Sequence, residues 1–386
     1  MTSIMISETN IVYPVGVSRL RDIIYRERMT VAGYLLLPVL WLLSLCYWVA
    51  AKARVFLFGK GILKSTRLNA YTLSVGNLTV GGTGKTPFVE KLAGDLYRKG
   101  GAVAILSRGY GRRRGGATLR VPSRPGSIAA VRGSGDEPAM LARSLPDVPV
   151  IVDSRRARGG EFAVSRCEAR ILVLDDGFSH LALKRDCDIL LVDGEKGFRP
   201  GWVLPLGPLR EPTGHLRRSD HIMLVGGTAE SRSALAKRLV RDYGRRSIME
   251  AVYKPSRLVS LANMKETRPL KVLREKRCIA FSGLASPARF EASVGQLGAK
   301  LLYSFRFPDH HWYDRDDIEM VTRRARNVGA EMILTTEKDS LKVPRSASLI
   351  PMYYLRIELK IVAGEEIYES ILKEALKEST MTKPET

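Results

Sequence analysis

One stretch limits what this chain can fold into more than any other: Leu73-Ser-Val-Gly-Asn-Leu-Thr-Val-Gly-Gly-Thr-Gly-Lys-Thr-Pro-Phe88. An apolar strand runs into a glycine-rich loop that ends in Gly84-Lys85-Thr86 at the head of a helical pattern. Small residues let successive backbone N–H groups turn toward phosphate oxygens, and a helix N-terminus favours negative charge. Thr79, Val80, Gly81, Gly82, Thr83, Gly84, Lys85 and Thr86 are therefore expected to cradle a nucleoside triphosphate, with Lys85 on the β- and γ-phosphates and the Thr86 hydroxyl on Mg²⁺. The usual spacing of such a loop places glycine where Thr79 stands. The surroundings fit it nonetheless. Thr72 to Val75 reads as a strand, and Phe88, Val89, Leu92, Ala93 and Leu96 recur at helical spacing. Gly100-Gly101 stops that helix, and Ala102 to Leu106 is a second apolar strand.

A chain of 386 residues has room for two cores. Its formal charge of +22 asks for anionic partners, whether nucleic acid, acidic lipid or a phosphorylated substrate. Cys46, Cys167, Cys187 and Cys278 are scattered without CxxC pairing, which argues against a disulfide framework or zinc site and suits a reducing compartment.

Thr30 to Ala51 carries no charge and is long enough to span a bilayer or lie deeply in it. Trp41, Tyr47 and Trp48 add interfacial aromatics. About thirty residues, many of them polar, precede the run, which speaks against a cleaved signal. Arg19, Arg21, Arg26 and Arg28 flank it on one side, and Lys52, Arg54, Lys60 and Lys64 on the other. Basic residues on both flanks suit a segment that enters one leaflet as well as a true span, and Pro38 and Ser44 are breaks that keep a buried soluble helix open.

Beyond this segment, short apolar strands at Ala169 to Leu174, Asp188 to Val192 and His221 to Val225 alternate with helical patterns, the signature of a parallel α/β sheet. The expected organisation is a membrane-associated segment over 1–66, a phosphate-loop domain over 67–244 and a two-stranded connector over 245–277. A smaller α/β domain over 278–378 and a disordered tail over 379–386 complete it. The connector is read from the alternating pieces Ile248 to Tyr253 and Arg257 to Leu261, with Pro255 and Pro269 in a basic stretch. No internal repeat is visible.

Two carboxylates end the strand Arg170-Ile-Leu-Val-Leu174. In a chain with a phosphate loop, Asp175 or Asp176 reads as a second Mg²⁺ anchor, the two not being separable by sequence. Ser107-Arg-Gly-Tyr-Gly-Arg112 follows the next strand, where loops of an open sheet meet the ligand crevice. Basic residues interleaved with aromatics on a nucleic-acid module are not found.

Eight motifs in order carry a closer resemblance: the loop Asn77 to Pro87, Ser107 to Gly111, Gly135-Asp-Glu-Pro138, Asp175-Asp-Gly-Phe-Ser-His180, Gly201 to Pro212, Phe281 to Ala285, Phe307-Pro-Asp-His310 and Leu334-Thr-Thr-Glu-Lys-Asp339. Together they resemble the tetraacyldisaccharide 4′-kinase, or lipid A 4′-kinase, family, whose phosphate loop shows the same spacing around Thr79. Ser179 stands where that family more usually carries glutamine. The resemblance implies transfer of the γ-phosphoryl of ATP, with Mg²⁺, to the 4′-hydroxyl of a tetraacylated glucosamine disaccharide 1-phosphate at the cytoplasmic face of a bacterial inner membrane. The partners are then an anionic lipid disaccharide and the bilayer surface, with no nucleic acid and no obligate protein partner. It implies Asp136 as base for the sugar hydroxyl with His310 paired to it across two domains. Asp175, Asp176 and Glu211 would shape the Mg²⁺ and nucleotide site, Arg156 and Arg210 would meet phosphates, and Tyr110 would lie on the substrate side, with Arg108 beside it. Arg155 competes with Arg156 for its register, and Asp136 before Glu137-Pro138 also suits a helix start.

Overall fold

The structure is a computed structural model and describes residues 31–80, 84–109, 112, 116–123, 128–244, 247–284, 286–344 and 350–381. In chain order its elements are α1 (Val31–Gly59), β1 (Tyr71–Gly76), α2 (Lys85–Arg98), β2 (Val103–Ser107), β3 (Leu119–Arg120), α3 (Ile128–Ser134), α4 (Asp136–Ser144), β4 (Val150–Val152), α5 (Arg156–Cys167), β5 (Ile171–Asp175), β6 (Cys187–Asp193), β7 (His221–Val225), α6 (Ala229–Tyr243) and β8 (Ser247–Ser260). There follow β9 (Thr267–Pro269), β10 (Arg277–Ser282), α7 (Pro287–Gln296), β11 (Lys300–Arg306), α8 (Arg315–Asn327), β12 (Met332–Thr336), α9 (Glu337–Ser340), β13 (Met352–Ala363) and α10 (Glu365–Met381). Two compact units result. The larger gathers the described residues of 31–123, 132–253 and 359–381, and the smaller gathers those of 254–358 with the short piece 128–131.

In the larger unit the strand order is β3-β4-β2-β5-β1-β6-β7-β8, with parallel neighbours throughout except β3, which runs antiparallel to β4. β1 is buried along its whole length, because a central parallel strand is covered on both faces. One face packs Phe88, Val89, Leu92 and Leu96 of α2 together with Tyr368, Ile371 and Leu372 of α10. The other packs Ala163 of α5 against Leu106, Ile151 and Leu172. The register sets Val75 beside Asp175, so the loops leaving β1 and β5 are neighbours at the carboxyl edge of the sheet. Such an edge, where successive connections diverge, is where open α/β sheets hold ligands. Gly76 permits that closeness: a Cβ there would stand 2.4 Å from Cβ of Phe178.

In the smaller unit the parallel order is β11-β10-β12-β13, and β9 pairs antiparallel with the far half of β8. Phe281, Phe305, Phe307 and Tyr313 pack under α8. The loops after β10, β11 and β12 leave the same edge.

Three expectations change. The pieces 248–253 and 257–261 are one fourteen-residue strand, β8, that continues through Pro255. The chain returns along β13, which does not stop at Leu355; Leu355, Ile357, Leu359 and Ile361 keep the strand alternation for twelve residues. Second, the closing helix belongs with the larger unit rather than the α/β unit before it: its Tyr368 hydroxyl donates to Asp95 at 2.7 Å, and its apolar face completes the core over α2. It runs to Met381, into the stretch expected to be a disordered tail, and residues 382–386 lie outside the described residues. Third, α1 is continuous through Pro38 and Ser44.

Candidate active site

Between β1 and α2 the chain runs Asn77 to Gly84. Gly81, Gly82 and Thr83 lie outside the described residues, as does Tyr110. Gly84 has φ 73°, a left-handed conformation at the entry to α2 that suits glycine. Leu78 to Val80 is zipped to the segment before Glu211: Val80 N–H donates to Pro208 O at 2.7 Å, and Arg210 N–H donates to Leu78 O at 2.7 Å. This pairing sets the Arg210 side chain against the phosphate loop.

Around it lies a tight polar cluster. Lys85 Nζ donates to Asn77 Oδ1 at 2.9 Å and stands 3.5 Å from Asp176 Oδ1. Arg210 grips Asp176 with two N–H groups at 2.8 and 2.9 Å and also bonds Asn77. Asp176 has φ 55°, which aspartate tolerates better than most residues. Burial would raise its carboxyl, but the bonds and charges of Arg210 and Lys85 outweigh that and hold it well below the ordinary range. Two cations and one carboxylate thus stand where phosphates would arrive.

Asp175 is different. It is buried; among the described residues its Oδ1 has no hydrogen-bond partner and its Oδ2 receives only a long 3.4 Å contact from Ser107 Oγ. Burial first, then the Glu137 carboxylate, pushes its carboxyl up to about 7. An orphaned buried carboxyl beside a phosphate loop is chemically suited to a divalent cation, which would supply the missing partner. Thr86, next to Lys85 in the first turn of α2, is buried.

Arg156 opens α5 and is buried, donating to Asp153 O at 2.8 Å and Asp175 O at 3.2 Å. Burial pushes its guanidinium down to about 10, against the pull of Asp175 and Asp176. Arg155 is exposed, so Arg156 is the residue turned toward the carboxylates. Arg108 is exposed after β2. His180, given no role from sequence, is pushed down to about 4 by burial and then by Arg156, Arg54, Arg185 and Arg108, and so stays neutral among guanidinium groups. Glu211 is buried with Oε2 taken by His215 Nδ1 at 2.8 Å and by Arg218, so at most one of its oxygens is open to a cation. Asn77, His215 and Arg218 are the organising residues that sequence reading missed; Asn77 carried the one available signal, a polar side chain at the mouth of the phosphate loop.

Asp136 is buried at the first position of α4, after Gly135 at φ 96°, and its Oδ1 accepts from Glu137 N–H at 3.1 Å. His310 lies in the smaller unit. Its φ is 63°, its N–H donates to Gly283 O at 3.3 Å, and its Nε2 is 3.2 Å from Lys338 Nζ.

The sequence profile of the Tetraacyldisaccharide-1-P 4′-kinase (LpxK) family matches residues 36–377. The chain belongs to this family. A tetraacyldisaccharide 4′-kinase of Anaeromyxobacter sp. (strain K) is 38% identical over 95% of this chain and 98% of its own length. One from Syntrophus aciditrophicus is 38% identical over 87% and 92%. Among solved structures, the LpxK of Aquifex aeolicus, crystallised in complex with ATP, shares 31% identity at a TM-score of 0.68 and covers 88% of this chain and 98% of its own. The fold and the enzyme class follow: this is an α/β kinase of lipid A biosynthesis.

Proposed function

We propose that the larger unit transfers the γ-phosphoryl of ATP to the 4′-hydroxyl of a tetraacyl glucosamine disaccharide 1-phosphate through the cluster built on Lys85, Asp176 and Arg210. The observation that carries this is the cluster itself: two cations shared by one carboxylate, with Asp175 and its unpaired oxygen beside them, at the end of the phosphate loop. Lys85 and Arg210 neutralise charge on the β- and γ-phosphates and orient the chain of phosphates for in-line attack. Gly84 and the loop before it supply backbone donors. Thr86 and Asp175 would hold Mg²⁺, with Asp176, gripped by Arg210, and Glu211 shaping the site around them, and the ion would supply neutralisation of phosphate charge. Arg156 contributes positive potential from behind Asp175, and Arg108 and Tyr110 meet the lipid's anionic head.

Asp136 takes the proton of the attacking hydroxyl, and His310 serves the same proton step. A buried carboxylate at a helix start is held in one place, which general-base work requires.

The substrate stays in a bilayer, and α1 brings the kinase to it. Leu36–Gly59 is apolar and long enough to cross a membrane. However, Ser44 is buried, and Leu37, Leu40, Ala51, Val55 and Phe58, spaced at helical period from it, are less exposed than most of their neighbours, so that side of the helix turns toward the larger unit. Ser44 Oγ donates to Val203 O and Tyr47 Oη to Arg210 O, both at 2.9 Å. A helix bound sideways to its own domain suits the cytoplasmic interface of the inner membrane better than a full span, with Trp41, Leu42, Leu45, Trp48 and Val49 in the lipid. Tyr47 links that helix to the backbone of Arg210. The test is ATP consumption with and without lipid disaccharide in detergent micelles: turnover that requires both the lipid and Mg²⁺ supports the proposal, and lipid-independent hydrolysis or stimulation by nucleic acid contradicts it.

A further inference from the structure

Lys338 and Asp339 belong to the segment Leu334-Thr-Thr-Glu-Lys-Asp339, whose chemistry the phosphate-transfer cluster does not use. Both residues bear on His310. Asp339 is fully buried; one carboxylate oxygen accepts from Thr336 Oγ1 at 2.6 Å and Gly283 N–H at 3.1 Å, and the other lies 3.2 Å from the ammonium of the fully buried Lys342 as an ion pair. The carboxylate therefore ties the loop after β10 to the start of α9. Gly283 in turn accepts the backbone N–H of His310. Next along α9, Lys338 sets its ammonium 3.2 Å from His310 Nε2. An ammonium has three N–H donors and no lone pair, so the ring nitrogen must be the acceptor. The His310 backbone sits at φ 63°, a conformation that costs energy for a residue other than glycine and persists only where the surroundings fix it.

We propose that Lys338 is a positioning residue that fixes His310 as a neutral imidazole with its proton on Nδ1, while Asp339 anchors the two loops that bring them together. The proposal deepens the assignment of His310 to the proton step and rests on it for its catalytic consequence. Among the described residues, charged groups near the ring include the Lys338 ammonium and, more weakly, Asp309, whose Oδ1 is 4.0 Å from Nε2. A second proton on the ring would face the ammonium directly, whereas the neutral form with Nδ1–H keeps Nε2 as acceptor and leaves Nδ1 as the donor.

The tautomer is read without any turnover. The full chain, labelled with ¹⁵N in its five histidines, is examined in detergent by long-range ¹⁵N–¹H correlation, with His310→Gln assigning the signal. The expected wild-type pattern at pH 8 is a neutral ring with its proton on Nδ1. Lys338→Met should move the proton toward Nε2, and Lys338→Arg should restore the wild-type pattern. Unchanged His310 signals in Lys338→Met overturn the proposal. In turnover, Lys338→Met should lower kcat by about tenfold or more and shift its acid limb while leaving KM for ATP unchanged, with partial recovery in Lys338→Arg. If His310→Gln is impaired but Lys338→Met turns over like wild type, the positioning role falls. If His310→Gln itself turns over normally, the assignment of His310 falls, and the ring signals still decide what Lys338 does.

Discussion

Asp175 shows how one residue can be poor for stability and suited to function. Its carboxyl is raised, so the folded chain prefers it protonated: without metal, its effect is most favourable below about pH 4 and becomes steadily less favourable as pH climbs to about 7. Asp175→Asn should therefore flatten the stability of the metal-free chain across that window and raise it at pH 8 by up to about 4 kcal/mol, as followed by urea unfolding. The same change should lower lipid kinase turnover by two orders of magnitude or more. A variant both less stable and fully active would contradict the role of a cation ligand. Asp176 was indistinguishable from Asp175 in the sequence, because two adjacent aspartates at a strand end look alike. The bidentate grip of Arg210, a residue 34 positions away, separates them. Lys85 and Thr86 were legible because the chemistry of a phosphate loop is local. His180 was not, since its neutrality is set by its burial and then by arginines scattered from Arg54 to Arg185.

Among the elements, α1 and α10 are each tied to the larger unit by a tyrosine hydroxyl, α1 also by Ser44 and α10 also by its apolar face. Tyr47→Phe removes the bond to Arg210 O and should leave ATP binding intact while reducing lipid-dependent turnover severalfold; the bond itself contributes about 1 kcal/mol. Calorimetric ATP affinity measured beside kinase rate checks this, and an equal fall in both would contradict it. Tyr368→Ala should destabilise the chain by about 3 kcal/mol or more, since a buried ring that packs on Phe88 and bonds Asp95 is lost; thermal unfolding reads it. The β1–loop–α2 unit was legible because glycines and periodicity mark it within thirty residues. The site of α10 was not: its amphipathic pattern predicts a helix but cannot say which sheet it covers. β8 was misread for a related reason, because Pro255 looks like a break to a local reading, although a strand can carry proline where its N–H is not needed.

At the scale of the molecule, a formal charge of +22 on a chain with an exposed apolar helix is matched to an anionic amphiphile. Binding to vesicles rich in anionic lipid should weaken as salt is raised, while the apolar contact of α1 leaves a residue of binding that salt does not remove; sedimentation across a salt series separates the two. The α/β class and the reaction class were legible from the order of eight motifs, most of them at loops that leave strand ends. The most direct trial of the account is phosphorylation of a tetraacyldisaccharide 1-phosphate with γ-labelled ATP by wild type and by Asp136→Ala. Wild type should place the label at the 4′ position, and Asp136→Ala should lose two or more orders of magnitude in rate, as removal of a general base requires. Near wild-type transfer by Asp136→Ala, or label at any other position, would contradict it.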